Sequence, residues 1–162
     1  MKLLLIALFA ISTTFAAEIK LRNYDLVGVN RTLSLYELGK GVDGLGGYIA
    51  GRIFVQGGKA EEETIIILKD INKKDINGRY KMYIGYKTEQ YLNASGSIQN
   101  YRIKRAKVEE FYYSGTKRNL FKEIFDFIEE NKNTITGEVR FIVKPYTSSI
   151  YNISGTVQYV LK

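Results

Sequence analysis

Ile135-Thr-Gly-Glu-Val139-Arg-Phe-Ile-Val143 decides the fold, and a near-copy, Ile153-Ser-Gly-Thr-Val157-Gln-Tyr-Val-Leu161, begins 18 residues later. Ile135, Gly137, Val139, Phe141 and Val143 alternate with other residues, as do Ile153, Gly155, Val157, Tyr159 and Leu161. A strand turns successive side chains to opposite faces, so each ladder makes one dry face. The opposite faces, Thr134, Thr136, Glu138, Arg140 and Asn152, Ser154, Thr156, Gln158, are expected in water or in a wet lumen. An antiparallel β protein follows.

What must cover the dry face precedes it directly. From Thr116 to 131 the period changes: Leu120, Phe121, Ile124, Phe125, Phe127 and Ile128 recur at helical spacing, with Lys122, Glu123, Asp126, Glu129 and Glu130 on the remaining surface. This is an amphipathic helix with a broad apolar side and Thr116 as N-cap. Burying each large apolar side chain stabilises by about 1.5–3 kcal/mol, and a sheet face is the natural receiver. Val139, Phe141, Val157 and Tyr159 are therefore expected to lie near Phe121, Ile124, Phe125 or Ile128. The fold class is mainly β (α+β): an antiparallel sheet or partly closed small barrel with one amphipathic helix, about 116–131, packed on it.

Further strands are read upstream. Thr64–Leu68 is apolar on both faces, and Tyr80, Met82, Ile84 and Tyr86 share a face. Asn77-Gly78 joins these two runs as a hairpin signal. Residues 19–38 read as strands or a single helical turn, with Ser34-x-x-Glu37 matching a capping box. Gly39 to Gly47 reads as a loop and Tyr48–Gln56 as a strand. Residues 89–105 read as another extended run. The [Ile/Ala]-x-Gly-x-[Ile/Val] pattern at 49, 94, 135 and 153 marks places where a strand bends or another backbone comes close.

The chain has 162 residues, enough for one domain with its own core. Residues 1–17 have the charge, apolar run and small residues of a removed signal peptide, leaving 18–162 as a single antiparallel β domain. There is no Cys and no His among residues with a net charge of +7. Without them, zinc and iron–sulfur centres and His-dependent nucleophilic catalysis are excluded. No cofactor, metal or catalytic residue is expected.

Motif matches fail on context. Gly39-x-Gly41-x-x-Gly44 resembles a dinucleotide fingerprint, which requires the glycines to precede a helix N-terminus. Asp70 to Gly78 breaks the calcium-loop pattern at Lys74 and Asp75. Ser114-x-x-Lys117 matches a nucleophile motif whose companion elements do not occur. Tyr101, Arg102, Lys104, Arg105 and Lys107 form a basic, aromatic-flanked cluster suited to an anionic ligand or surface, or to a charged edge that discourages aggregation.

Together these readings describe an exported bacterial cell-envelope protein, periplasmic or secreted, that binds, assists or builds rather than catalyses. The expected partners are a protein or an anionic envelope component: lipid headgroup, lipopolysaccharide or acidic glycan. Membrane association is allowed and nucleic acid is not expected. The alternatives are a small eight-stranded outer-membrane β-barrel and a small hydrolase using carboxylates or Ser114 and Lys117.

Overall fold

The computed structural model describes residues 17–21, 23–71, 78–145 and 151–162. Residues 1–16 of the 1–17 signal-peptide reading and the Asn77 half of the hairpin signal lie outside them.

The elements run β1 (Ala17–Leu21), β2 (Tyr24–Ser34), α1 (Leu35–Val55), β3 (Thr64–Leu68), β4 (Arg79–Tyr86), β5 (Gln99–Ile103), β6 (Ala106–Thr116), α2 (Lys117–Asn131), β7 (Ile135–Val143) and β8 (Asn152–Leu161). The strands form one eight-stranded sheet in the order β1-β6-β8-β7-β3-β4-β2-β5. Every pairing is antiparallel. β1 and β5 are open edges, so the sheet does not close into a barrel.

The order contains a duplication. β2-α1-β3-β4 and β6-α2-β7-β8 are each a strand, a helix and two strands. In the sheet they appear as β3-β4-β2 and β7-β8-β6, joined through the antiparallel β3·β7 pair. An approximate two-fold relation therefore passes between β3 and β7. The sequence hides it because the two helices are unlike in composition.

α2 begins on Thr116, whose hydroxyl accepts from the Asn119 amide at 3.2 Å. Leu120, Phe121, Ile124 and Phe125 are buried in one cluster with Val139, Phe141, Val157 and Tyr159, as their patterning requires. Phe127 lies flat against Tyr159, with ring centroids 3.9 Å apart. The glycines of the twin strands allow close approach. Gly137, with φ of 85°, sits where the β7·β8 register shifts. A Cβ on Gly155 would stand 2.1 Å from the Ile142 carbonyl oxygen.

α1 is a correction. The loop over Gly39 to Gly47 and the strand over Tyr48–Gln56 are one 21-residue helix. Its capping box is complete: Glu37 Oε2 accepts from the Ser34 amide at 2.7 Å, and Ser34 Oγ accepts from the Glu37 amide at 3.2 Å. Each interior glycine costs about 1 kcal/mol relative to alanine, so tertiary burial must sustain the helix. Leu38, Ile49 and Ile53 supply it on one face. The alternation of Ile49, Ile53 and Val55 is equally an i, i+4 pair, and Val55 is exposed. The dinucleotide fingerprint fails for a further reason: its glycines lie inside the helix, where their amides are not at a free N-terminus.

Two smaller readings also change, and the stretch from Val108 to Tyr113 joins the long strand β6. The run over 89–105 contains only the strand β5, and Gly96 sits in a turn with φ of 69°. The residues expected in water on β7 and β8 include two that are buried, Arg140 and Gln158.

Candidate functional site on the helix-free face of the sheet

Both helices pack on one side of the sheet. The odd-numbered ladders of β7 and β8 face them, so the even-numbered residues face the other way. Across β2, β3, β4 and β5 that second side carries its own small cluster: Leu26, Ile65, Ile67, Tyr83 and Ile103 are buried, with Tyr24, Tyr101 and Ile142 packed against them. Among the described residues no helix lies over this cluster.

Arg140 sits in the middle of this face. Its partners across the sheet are Ile67 on β3 and Gln158 on β8, and Gln158 in turn lies opposite Glu110 on β6. Arg140 is 3% exposed and Gln158 4%. Each is oriented by a carboxylate. Arg140 Nε donates to Glu138 Oε1 at 2.7 Å, and Gln158 Nε2 donates to Glu110 Oε2 at 2.9 Å. A carboxylate only accepts, so Glu110 dictates which way the Gln158 amide points. That leaves Arg140 Nη1 and Gln158 Oε1 buried with no hydrogen-bond partner in the structure described.

Tyr24, on β2, meets Arg140 from the far side. Burial raises the pKa of its hydroxyl, Arg140 lowers it by charge and hydrogen bonding, and Glu138 raises it by charge. β2 and β7 are separated by β4 and β3, about 14 Å in a flat sheet at the usual strand spacing. The Tyr24 and Arg140 side chains reach towards one another over β3 and β4.

Aromatic rings extend the site. Tyr83 and Tyr101 stack with centroids 4.7 Å apart, and the Tyr83 hydroxyl donates to the Gln99 carbonyl at 2.9 Å. Burial, with Tyr101 adding to it, pushes the Tyr83 hydroxyl well above its ordinary pKa. Lys69 lies 4.2 Å over the Tyr101 ring, Lys87 4.9 Å over Tyr24 and Lys144 5.0 Å over Tyr112. The face thus offers flat apolar surfaces, cationic rims and a buried donor and acceptor.

The helix side holds a narrow apolar cleft between α2 and the central strands, lined by Leu38, Leu68, Lys117, Phe121, Ile124 and Phe141 among others. Its lining is hydrophobic except for Lys117. It is a seam in the core.

The basic cluster read from sequence does not converge. Tyr101 faces the second side, while Arg102 is its neighbour on the opposite side, 4.0 Å from Asp25. Lys104 and Arg105 fall in the turn after β5, so 102 and 104 do not share a strand face. Lys107 lies on β6 opposite Lys20 of β1. The Ser114 and Lys117 pair is also divided. Ser114 is exposed and shares a 2.8 Å hydroxyl contact with Ser154, whereas Lys117 lines the cleft on the helix side. Among the described residues no group of His, Cys, Asp and Glu could hold a metal. The Arg140–Gln158 site was missed because an alternating strand marks a polar face as wet. The available signal was that Arg140 and Gln158 occupy matching positions in the twin ladders.

No protein-family model and no curated protein sequence matches the chain. Solved structures do resemble it. The C-terminal domain of EcmrR gives a TM-score of 0.67 at 11% identity, covering 91% of this chain and 96% of that one. EcmrR in its DNA complex in EcmrR-RPo gives the same score, and there this chain spans 57% of the EcmrR chain. SAV2435 bound to tetraphenylphosphonium gives 0.58 at 13% identity, covering 91% and 93%. A Staphylococcus aureus protein described as a bacterial transcription regulation protein gives 0.57 at 11% identity, covering 91% and 97%. At such identities the likeness is one of fold.

These likenesses overturn the expectation of an exported, periplasmic or secreted envelope protein, with lipid, lipopolysaccharide or glycan partners and no nucleic acid. The fold is one that transcription regulators carry, in EcmrR within a complex on DNA. The outer-membrane barrel falls on geometry as well, because the sheet is open and its most apolar face is covered by two helices. The Ser114/Lys117 hydrolase falls because its two residues are held apart. The chain adopts the fold seen in the C-terminal domain of EcmrR and in SAV2435.

Proposed function

We propose that this chain is a small-molecule-binding sensor module of a transcription regulator, and that the ligand lies on the helix-free face of the sheet. One observation carries the reading: two nearly fully buried side chains, Arg140 and Gln158, each keep a polar atom unsatisfied amid a surface of tyrosines. Buried polar groups without partners are rare in proteins and each calls for an explanation. Ligand sites typically combine apolar and aromatic walls with a few placed polar groups.

Relatives by fold support it. SAV2435 was captured with tetraphenylphosphonium, a bulky aromatic cation, and EcmrR was resolved on DNA. This chain corresponds to the C-terminal domain of EcmrR, so regulation through a DNA-bound partner segment is part of the proposal.

The test is to locate binding by nuclear magnetic resonance with a panel of flat aromatic compounds. The reading expects backbone amide shifts at Tyr24, Tyr101 and Ile142, lost on Arg140→Met. Shifts confined to Leu38, Phe121 and Ile124 would place the ligand in the helix-side cleft and defeat it.

A further inference from the structure

We infer that the ligand of this face is a planar, uncharged molecule with a cis-amide edge, a carbonyl oxygen beside an N–H, as in a lactam or a pyridone. The inference rests on the site proposed above and adds the ligand's chemical class.

In a receptor for a lipophilic cation a free carboxylate should meet the ligand's charge. Here Glu138 is engaged by Arg140 and Glu110 by Gln158. Arg140 offsets the charge of Glu138, Glu110 keeps its charge beneath the neutral Gln158 amide, and the atoms left buried without a partner are one donor and one acceptor: Arg140 Nη1 and Gln158 Oε1. The two residues are directly opposite on β7 and β8, which sets their Cα atoms about 4.5–5.5 Å apart, with both side chains on one face. A carboxylate ligand would satisfy Arg140 but would meet Gln158 Oε1 and the nearby Glu138 with like sign. A cation would satisfy Gln158 and meet the guanidinium. A neutral group that accepts with one atom and donates with the next serves both.

The walls agree with this choice. Tyr24 closes on Arg140 from β2, and the stacked Tyr83 and Tyr101 rings continue the same side of the sheet. Stacked and edge-packed aromatic rings favour a flat partner.

The experiment uses the intact chain and four probes of one ring size, with binding followed by calorimetry and amide shifts. Carbostyril has the lactam edge, and N-methylcarbostyril keeps the carbonyl but lacks the N–H. Quinaldate carries a carboxylate and N-methylquinolinium a positive charge. The expected result is that carbostyril binds on the helix-free face and that N-methylation weakens it at least tenfold, the loss of one buried hydrogen bond. Gln158→Met should shrink that difference to below threefold. The comparison of the two lactams on the unaltered chain does not depend on how well the variant folds. Equal binding of the two lactams, or tighter binding of either charged probe on this face, overturns the inference and leaves the site standing. If no probe perturbs this face, the inference and the site reading fall together.

Discussion

Arg140 Nε and Glu138 Oε1 are 2.7 Å apart, with the arginine side chain 3% exposed and the glutamate 25%. The two are separated by one residue on β7, so both point to the same side and the pair forms within a single strand. A charge buried to this degree is tolerated only with a partner. The arrangement explains why an arginine can stand at the centre of a sheet between Ile67 and Gln158.

Removing one member should therefore be costly. Glu138→Ala leaves a buried guanidinium without its counter-ion and is expected to lower stability by about 3 kcal/mol. Replacing both residues, with Glu138→Leu and Arg140→Met together, should recover most of the loss. Urea unfolding of the two variants checks this. A loss under about 1 kcal/mol for the single variant would mean that the pair is solvated.

Glycine substitutions should split by site. Gly155→Ala drives a Cβ to 2.1 Å from the Ile142 carbonyl, a backbone atom that cannot move aside cheaply, and is expected to cost about 3 kcal/mol. Gly51→Ala on the exposed side of α1 meets nothing within 4 Å and should stabilise by roughly 1 kcal/mol through helix propensity. Thermal unfolding reads both. The same sign at both positions would contradict the packing described here.

Alkaline titration should expose a late class of tyrosines. Burial raises the hydroxyl pKa of Tyr24, Tyr83, Tyr113 and Tyr159 above the ordinary value of 10.0. Each folded pKa lies above its unfolded value, so the contribution is fully present below pH 10 and is lost as pH rises through the folded pKa. Phenolate absorbance, in a chain with 13 Tyr and no Trp, should show at least four groups ionising late and together with unfolding. A single transition near the ordinary value in the folded protein would refute it.

Ile124 tests the helix-to-sheet contact. It is 1% exposed and lines the cleft with Ile66 and Phe141, so Ile124→Ala should destabilise by about 3 kcal/mol. Lys122→Ala on the exposed side of α2 should change stability by less than about 0.5 kcal/mol. Chemical denaturation distinguishes the two. Similar losses would mean that α2 does not bury the face assigned to it.

Much of this architecture was legible from residue order alone. Strict alternation in β7 and β8 and helical spacing in α2 are local patterns, and their periods differ enough to be told apart over nine or more residues. Thr64–Leu68 was legible as a strand covered on both sides because Ile65, Ile66, Ile67 and Leu68 leave no polar face. α1 was not legible. Its glycines resemble turns, and Ile49 and Ile53 fit either period. What settles the matter is long-range burial of Leu38, Ile49 and Ile53 against β2 and β4, which no local window contains. The site was obscured in a different way. Basic residues near Tyr101 looked like a cluster because they are close in sequence, yet the strand sends Tyr101 and Arg102 to opposite sides and ends before Lys104.

The chain by itself thus determined an antiparallel sheet, its dry face and the helix that covers it, because side-chain periodicity is a property of neighbours in sequence. Only the tertiary structure decided that the opposite face is also partly dry. Burial of Arg140 and Gln158 depends on the strand order β6-β8-β7-β3 and on what reaches them across it, Tyr24 from β2 among them. Alternation tells which side a residue faces, and strand order and the packing across strands tell whether that side meets water.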